Sequence, residues 1–145
     1  QALPDQQLIV ASGGPDLGRI QKMAEGHPNI HVLGWVADEK LRNLMGTCRA
    51  TIYMGYKEDF GMVPVESMAC GKPCIGADEG GLRETIIQGI TGLLIPPTSD
   101  AIANAVRELT STKARGMRNA CKARAALFST EHHIVGLNEA MNSLH

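Results

Sequence analysis

Apolar positions along the chain follow two alternating rhythms. Short uninterrupted apolar runs stand at Leu8–Ala11, Ile30–Leu33, Ala50–Met54, Cys74–Ala77 and Gly92–Ile95. Each has the length of a strand buried on both faces. Between them, at Asp16–Glu25, Asp38–Cys48, Pro64–Ala69 and Leu82–Gln88, apolar residues recur on one helical face. Asp38 reads as an N-cap before Leu41, Leu44 and Met45, which share a face. From Ser99 onward the pattern is helical, in two or three segments. Strands separated by helices require right-handed crossovers, and so predict a parallel sheet with helices on both faces, an α/β fold of Rossmann-like type. The Gly13-Gly14 and Gly80-Gly81 pairs fall at strand-to-helix turns, where such sheets bind ligands. No repeat, low-complexity tract or linker interrupts the pattern, which predicts one compact unit over residues 1–145.

Composition narrows the function. A chain of 145 residues with 43% apolar content has the length of one domain and material for a core. A net charge of −1 argues against a nucleic-acid partner, which needs a basic surface. No apolar run approaches bilayer-spanning length and no signal peptide is visible, so a cytoplasmic location is expected. The chain begins at Gln1 and enters a strand within a few residues, which reads as a piece of a longer protein. Cys48, Cys70, Cys74 and Cys121 form no C-x2-C pair. Cys70 and Cys74 flank a helix-end glycine and a strand-leading proline. Free thiols of a reducing compartment fit them better than a metal site.

The chemistry concentrates in Glu58-Asp59-Phe60-Gly61-Met62-Val63-Pro64-Val65-Glu66, where two carboxylates stand eight positions apart. Proline is favoured in a first helical turn, so a helix beginning near Pro64 places Glu58 in a loop and Glu66 about one turn into the helix. The free N–H groups and dipole of that helix end form an anion site between the two carboxylates. Such a site suits a ligand with hydroxyls at both ends and phosphate in the middle, as in a nucleotide-sugar. Taken alone, the two residues are better explained as surface carboxylates, one in a loop and one in a first helical turn, where Glu favours the helix dipole.

The wider sequence resembles a known family. Glu58 to Glu66 is similar to the E-x7-E signature of family 4 retaining glycosyltransferases (group 1 glycosyltransferases), which have the two-domain GT-B architecture. Leu8-Ile9-Val10-Ala11-Ser12-Gly13-Gly14-Pro15-Asp16 resembles the family's strand and glycine turn. Val32-Leu33-Gly34-Trp35-Val36 resembles its nucleobase-side segment, and Gly80-Gly81-Leu82-Arg83-Glu84-Thr85-Ile86 continues the family's order.

The resemblance implies the C-terminal, donor-binding half of such an enzyme, which transfers a hexosyl group with retention, in polysaccharide biosynthesis or a related pathway. It gives Glu58 the catalytic position on the donor-sugar hydroxyls and Glu66 the ribose hydroxyls. The backbone from Asp59 and Phe60 through Gly61, Met62 and Val63 faces sugar and diphosphate, with Gly13 and Gly14 at the phosphates. Trp35 and Val36 lie at the base, although Trp35 fits a core anchor equally well. No cofactor and no metal are expected, there being no Asp-x-Asp motif. The donor is GDP-mannose or a UDP-sugar, with Glu-Asp-Phe-Gly hinting at mannose, and the acceptor is a saccharide or a lipid-linked sugar. The family's N-terminal domain, and an Arg and a Lys near the start of this one, have no counterpart here. The piece is therefore expected to bind donor weakly and to transfer nothing alone. Non-catalytic nucleotide-sugar binding is the alternative, and a two-carboxylate glycoside hydrolase a more distant one.

Two further features complete the reading. Lys113, Arg115, Arg118, Lys122 and Arg124 form a basic run that reads either as a solvated face or as a peripheral contact with an anionic membrane. His132 and His133, being adjacent, point to different faces of any helix and suggest neither metal site nor catalytic base.

Overall fold

The computed structural model describes residues 3–132 and residue 134, so His133 lies outside the described residues. Packing divides the chain after Leu44 into two compact units, where the sequence pattern predicts one. The hydrogen bonding shows why: the strands form two separate parallel sheets, one of two strands and one of three.

The first unit holds β1 (Leu8–Ala11), α1 (Leu17–Ala24), β2 (Ile30–Gly34) and most of α2 (Asp38–Thr47). β1 and β2 run parallel, with Leu8 opposite Ile30 and Val10 opposite Val32. The Asn29 amide ties in the preceding chain by donating to the carbonyls of Leu3 (3.2 Å) and Gln6 (2.8 Å). α1 sets Leu17, Ile20 and Ala24 on one face, all half-buried. These strands are not buried on both faces as expected: Leu8 is 40% exposed, Ile9 47% and Leu33 39%. A sheet of two strands has too little material to cover both of its surfaces.

The second unit holds β3 (Thr51–Tyr53), α3 (Met62–Ala69), β4 (Cys74–Ala77), α4 (Leu82–Thr85) and β5 (Gly92–Ile95). It continues with α5 (Ser99–Glu108), α6 (Ser111–Gly116) and α7 (Arg118–Ala126). The strands run parallel in the order β3-β4-β5, with Thr51 opposite Cys74 and Cys74 opposite Gly92. Central β4 is buried throughout, as a continuous apolar run in a parallel sheet should be. Met68, Leu82, Leu109 and Cys121 are wholly enclosed and form the core, together with Ile75. Thr98 and Thr110 cap α5 and α6 by accepting from the amides of Ala101 (3.3 Å) and Lys113 (3.2 Å).

Several boundaries differ from the sequence reading, and three of the differences have a clear physical cause. α3 begins at Met62, not Pro64, because Gly61 takes a left-handed N-cap conformation (φ 83°). Pro64 still sits in the first turn, where its missing N–H costs nothing. α4 ends at Thr85, because the buried Thr91 hydroxyl accepts from the Ile87 amide (2.9 Å) and turns the chain so that Gln88 pairs with Gly92. Ala37 rather than Asp38 caps α2, its carbonyl accepting from the Leu41 amide (3.0 Å).

All four cysteines are free, Cys74 and Cys121 being buried and Cys48 and Cys70 half-buried. Burial pushes the Cys74 thiol up to about 12 and the Cys121 thiol to about 11. Because the thiolate is the reactive form, a thiol-specific disulfide reagent at neutral pH should modify half-buried Cys70 readily in the native protein and Cys48, whose thiol burial also raises, more slowly. Cys74 and Cys121 should react only once denaturant unfolds the chain, which mass spectrometry of the labelled peptides would show.

Candidate functional site

Glu58 leaves β3 on a loop and is held from both sides. Tyr53, on the strand itself, donates its hydroxyl to Glu58 Oε2 (2.6 Å), and the Gly61 amide donates to Oε1 (3.1 Å). The Tyr53 bond, then the Gly61 amide, holds the Glu58 carboxyl below the ordinary carboxylate range. The same bond raises the Tyr53 phenol. An ionised carboxylate offers about four lone-pair positions, so Glu58 keeps capacity for a ligand hydroxyl. The Tyr53 ring also fixes the identity of Gly55, since a Cβ there would stand 2.6 Å from Tyr53 Cε1.

The loop rests on a second turn. The Gly81 amide donates to the Glu58 carbonyl (2.9 Å). A Cβ on Gly80 would lie 2.5 Å from that carbonyl oxygen, and one on Gly81 would overlap the Asp59 carbonyl. Only bare backbone fits both places. Glu79 completes the contact by accepting from the Lys57 amide (3.0 Å), and Lys57 itself is left-handed (φ 52°), uncommon for a residue with a Cβ. Phe60 stands edge-on to Phe128, with centroids 5.4 Å apart at 80°. Its ring is committed to packing, while its backbone remains part of the loop.

Past the loop, the Met62 and Val63 amides open α3 and find no protein acceptor among the described residues. These are the unpaired donors of a helix end. Glu66, the fifth residue of α3, is exposed. The structure therefore brings Glu58, Asp59, Phe60, Gly61, Met62, Val63 and Glu66 into one loop and helix start, as the sequence predicts.

In the first unit, Gly13 follows β1 and Trp35 follows β2. A Cβ on Gly13 would lie 3.6 Å from Trp35 Cε3, so the indole stands over the glycine turn. Gly14 has a positive φ of 150°, and Val36 is half-buried. Trp35 is 84% exposed, which removes the core-anchor reading. Sequence reasoning missed Tyr53 as a partner of the loop. Gly80 and Gly81, which the sequence places at a strand-to-helix turn, also form the seat beneath the Glu58 loop. Among the described residues, no cluster of His, Cys, Asp and Glu could hold a metal ion.

Comparison with known proteins places the chain. The family described as "Glycosyl transferases group 1" matches residues 1–128. The chain belongs to the group 1 glycosyltransferases. It is 32% identical over 126 residues to a GDP-mannose-dependent alpha-(1-6)-phosphatidylinositol dimannoside mannosyltransferase of Mycobacterium tuberculosis, covering 86% of this chain and 32% of that protein. It is 39% identical over 143 residues to a D-inositol 3-phosphate glycosyltransferase of Mycobacterium bovis, covering 90% of this chain and 30% of the relative. Among solved structures it resembles sucrose-phosphate synthase of Thermosynechococcus elongatus (TM-score 0.81, 27% identity), over 99% of this chain and 40% of that one. Anabaena HepE, solved with UDP and glucose, matches at TM-score 0.78 with 23% identity, over 96% of this chain and 42% of that one. The fold is thus α/β with parallel sheets, as in the GT-B glycosyltransferases. The chain spans about a third of the length of the curated relatives it matches.

Two outcomes follow from this packing. Glu58 binds protons less readily in the folded than in the unfolded chain. Its stabilising contribution is therefore full above the ordinary carboxylate range and drains away as pH falls through its lowered value. Tyr53→Phe should raise the Glu58 midpoint in a carboxyl NMR titration and flatten the acid limb of the stability–pH curve. Gly81→Ala should cost about 1–3 kcal/mol, the usual range for overpacking, read as a lower urea midpoint with an unchanged slope.

Proposed function

We propose that this chain is the donor-binding half of a retaining hexosyltransferase that takes its sugar from a nucleoside diphosphate. The observation that carries this reading is the loop joining β3 to α3. It sets an ionised, two-point-held carboxylate (Glu58), unpaired amides (Met62, Val63) and an exposed helical carboxylate (Glu66) side by side. In this reading Glu58 orients the sugar hydroxyls, the α3 amides and dipole take the diphosphate, and Glu66 accepts from the ribose hydroxyls. Gly13, Gly14, Trp35 and Val36 keep the phosphate and base roles that the resemblance implies.

The chemistry asked of the site is modest in kind and demanding in geometry. As the glycosidic bond breaks, positive charge grows on the sugar ring and negative charge on the departing diphosphate. Fixed amides aimed at that anion stabilise it without reorganising, which is where preorganised dipoles act best. No step is assigned to a metal or cofactor. The acceptor, a saccharide or lipid-linked sugar, belongs to the other half of a two-domain enzyme, so the chain alone is expected to bind donor without turnover. A cytoplasmic workplace goes with this reading. No helix among the described residues is long and apolar enough to cross a membrane.

Calorimetric titration with GDP, UDP, ADP and GDP-mannose tests the proposal. One nucleotide should bind selectively, with GDP-mannose the first candidate given the mannosyltransferase among the relatives. Glu66→Ala should weaken it about tenfold or more, the usual worth of hydrogen bonds to a charged group. No saturable binding at millimolar nucleotide, or equal binding by the variant, would count against the assignment.

A further inference from the structure

Four members of the basic run of the C-terminal helices fall into two kinds. Lys113 is paired with Glu108 (2.5 Å). Arg124 docks on the carbonyls of Thr85 (3.2 Å) and Glu84 and lies over the Phe128 ring. Arg115 and Arg118 do neither. They line an open cleft of about 250 Å³ together with Arg49, Lys72, Ser111 and Cys48. Arg49 immediately precedes the run into β3 and Lys72 the run into β4. The strands are parallel, so the cleft lies at the opposite end of the three-stranded sheet from the Glu58 loop.

The cleft wall carries four cationic side chains and no carboxylate, on a chain whose net charge is −1. Among the described residues none of the four makes a salt bridge, whereas Arg19, Arg83 and Lys113 do. Their hydrogen bonds are peripheral: Arg49 donates to the Val106 carbonyl (3.3 Å) and Arg115 to the Thr112 hydroxyl (3.4 Å). The backbone is shaped to admit one of them. Gly71 is left-handed (φ 73°), and a Cβ there would meet Arg118 Cγ at 2.9 Å, so only glycine lets Arg118 lie across the end of α3. The α3 carbonyls account for one cation near that helix end, not for four.

We propose that this cleft is an anion site for a phosphate group carrying more than one negative charge. Guanidinium forks match phosphate oxygens in pairs, and a lysine adds a compact point charge. The Ser111 hydroxyl supplies a neutral donor. The phosphate belongs either to a soluble phosphoester or to a phosphorylated lipid headgroup, in which case the cleft faces the membrane.

The test is a titration of the 145-residue chain with inorganic pyrophosphate, followed by amide chemical shifts, beside the double variant Lys72→Gln, Arg118→Gln and beside Glu66→Ala. Saturable shifts are expected at Gly71, Lys72, Ser111 and Ala114. The double variant should bind there about tenfold more weakly or worse, while Glu66→Ala leaves these shifts unchanged. Shifts confined to Phe60–Val63 would overturn the proposal, as would undiminished binding by the variant or no saturation at all. Should the double variant melt early, Arg115→Glu at an exposed position replaces it, with the same loss expected. Vesicles of phosphatidylcholine with and without phosphatidylinositol phosphate then separate the sources. Binding to the doped vesicles that pyrophosphate displaces assigns a lipid headgroup, and pyrophosphate binding without vesicle binding assigns a soluble ester. Failure here leaves the nucleotide site untouched, because the readouts lie on different residues.

Discussion

Backbone meeting backbone at Gly80 and Gly81 sets the geometry of everything around the carboxylate loop. The Glu58 carbonyl is bonded by the Gly81 amide, and the Asp59 carbonyl lies where a side chain on residue 81 would have to go. A contact this close has no slack: the loop either sits on that turn or does not. Seated there, Glu58 meets both Tyr53 and the Gly61 amide, and Gly61 can start α3 at Met62. The direction of the helix dipole, the exposure of Glu66 and the ionised state of Glu58 all follow from one pair of residues without side chains.

The second support comes from far along the chain. α7 packs on α3, Cys121 Sγ donates to the Thr91 carbonyl (3.6 Å), and Arg124 reaches the last carbonyls of α4. Thr91 is also the residue that stops α4 by bonding the Ile87 amide. A short helix with little to hold it is thereby fixed from two directions, and α4 carries Leu82, whose methyl group crowds Gly61. The Glu58 loop is thus gripped between the sheet, through Tyr53, and the C-terminal helices.

Much of this was legible in the residues. β1, β4 and β5 have the bounds that their apolar runs suggest, since glycine and proline punctuate parallel strands sharply. The start of a helix within the Glu58–Glu66 stretch was legible because proline is favoured in a first helical turn. What escaped were effects between residues distant in sequence. Nothing local to Tyr53 announces a carboxylate partner, and nothing local to Glu79 announces the Lys57 amide. The half-open strands of the first unit escaped as well, because an apolar run records what a strand could bury and not what lies against it. Trp35 shows the same limit: a lone indole suits a core as well as a rim, and only its exposure decides.

The edge-on contact of Phe60 with Phe128 has a bearing on where this domain ends as a working object. The family match runs to residue 128, two positions beyond the end of α7. A nick or splice placed at the visible close of that helix would spare every residue from Glu58 to Glu66 and remove the ring that braces the loop between them. Such a shortened domain would carry its full signature and a loosened Glu58 loop. An inventory of motifs would score it as intact.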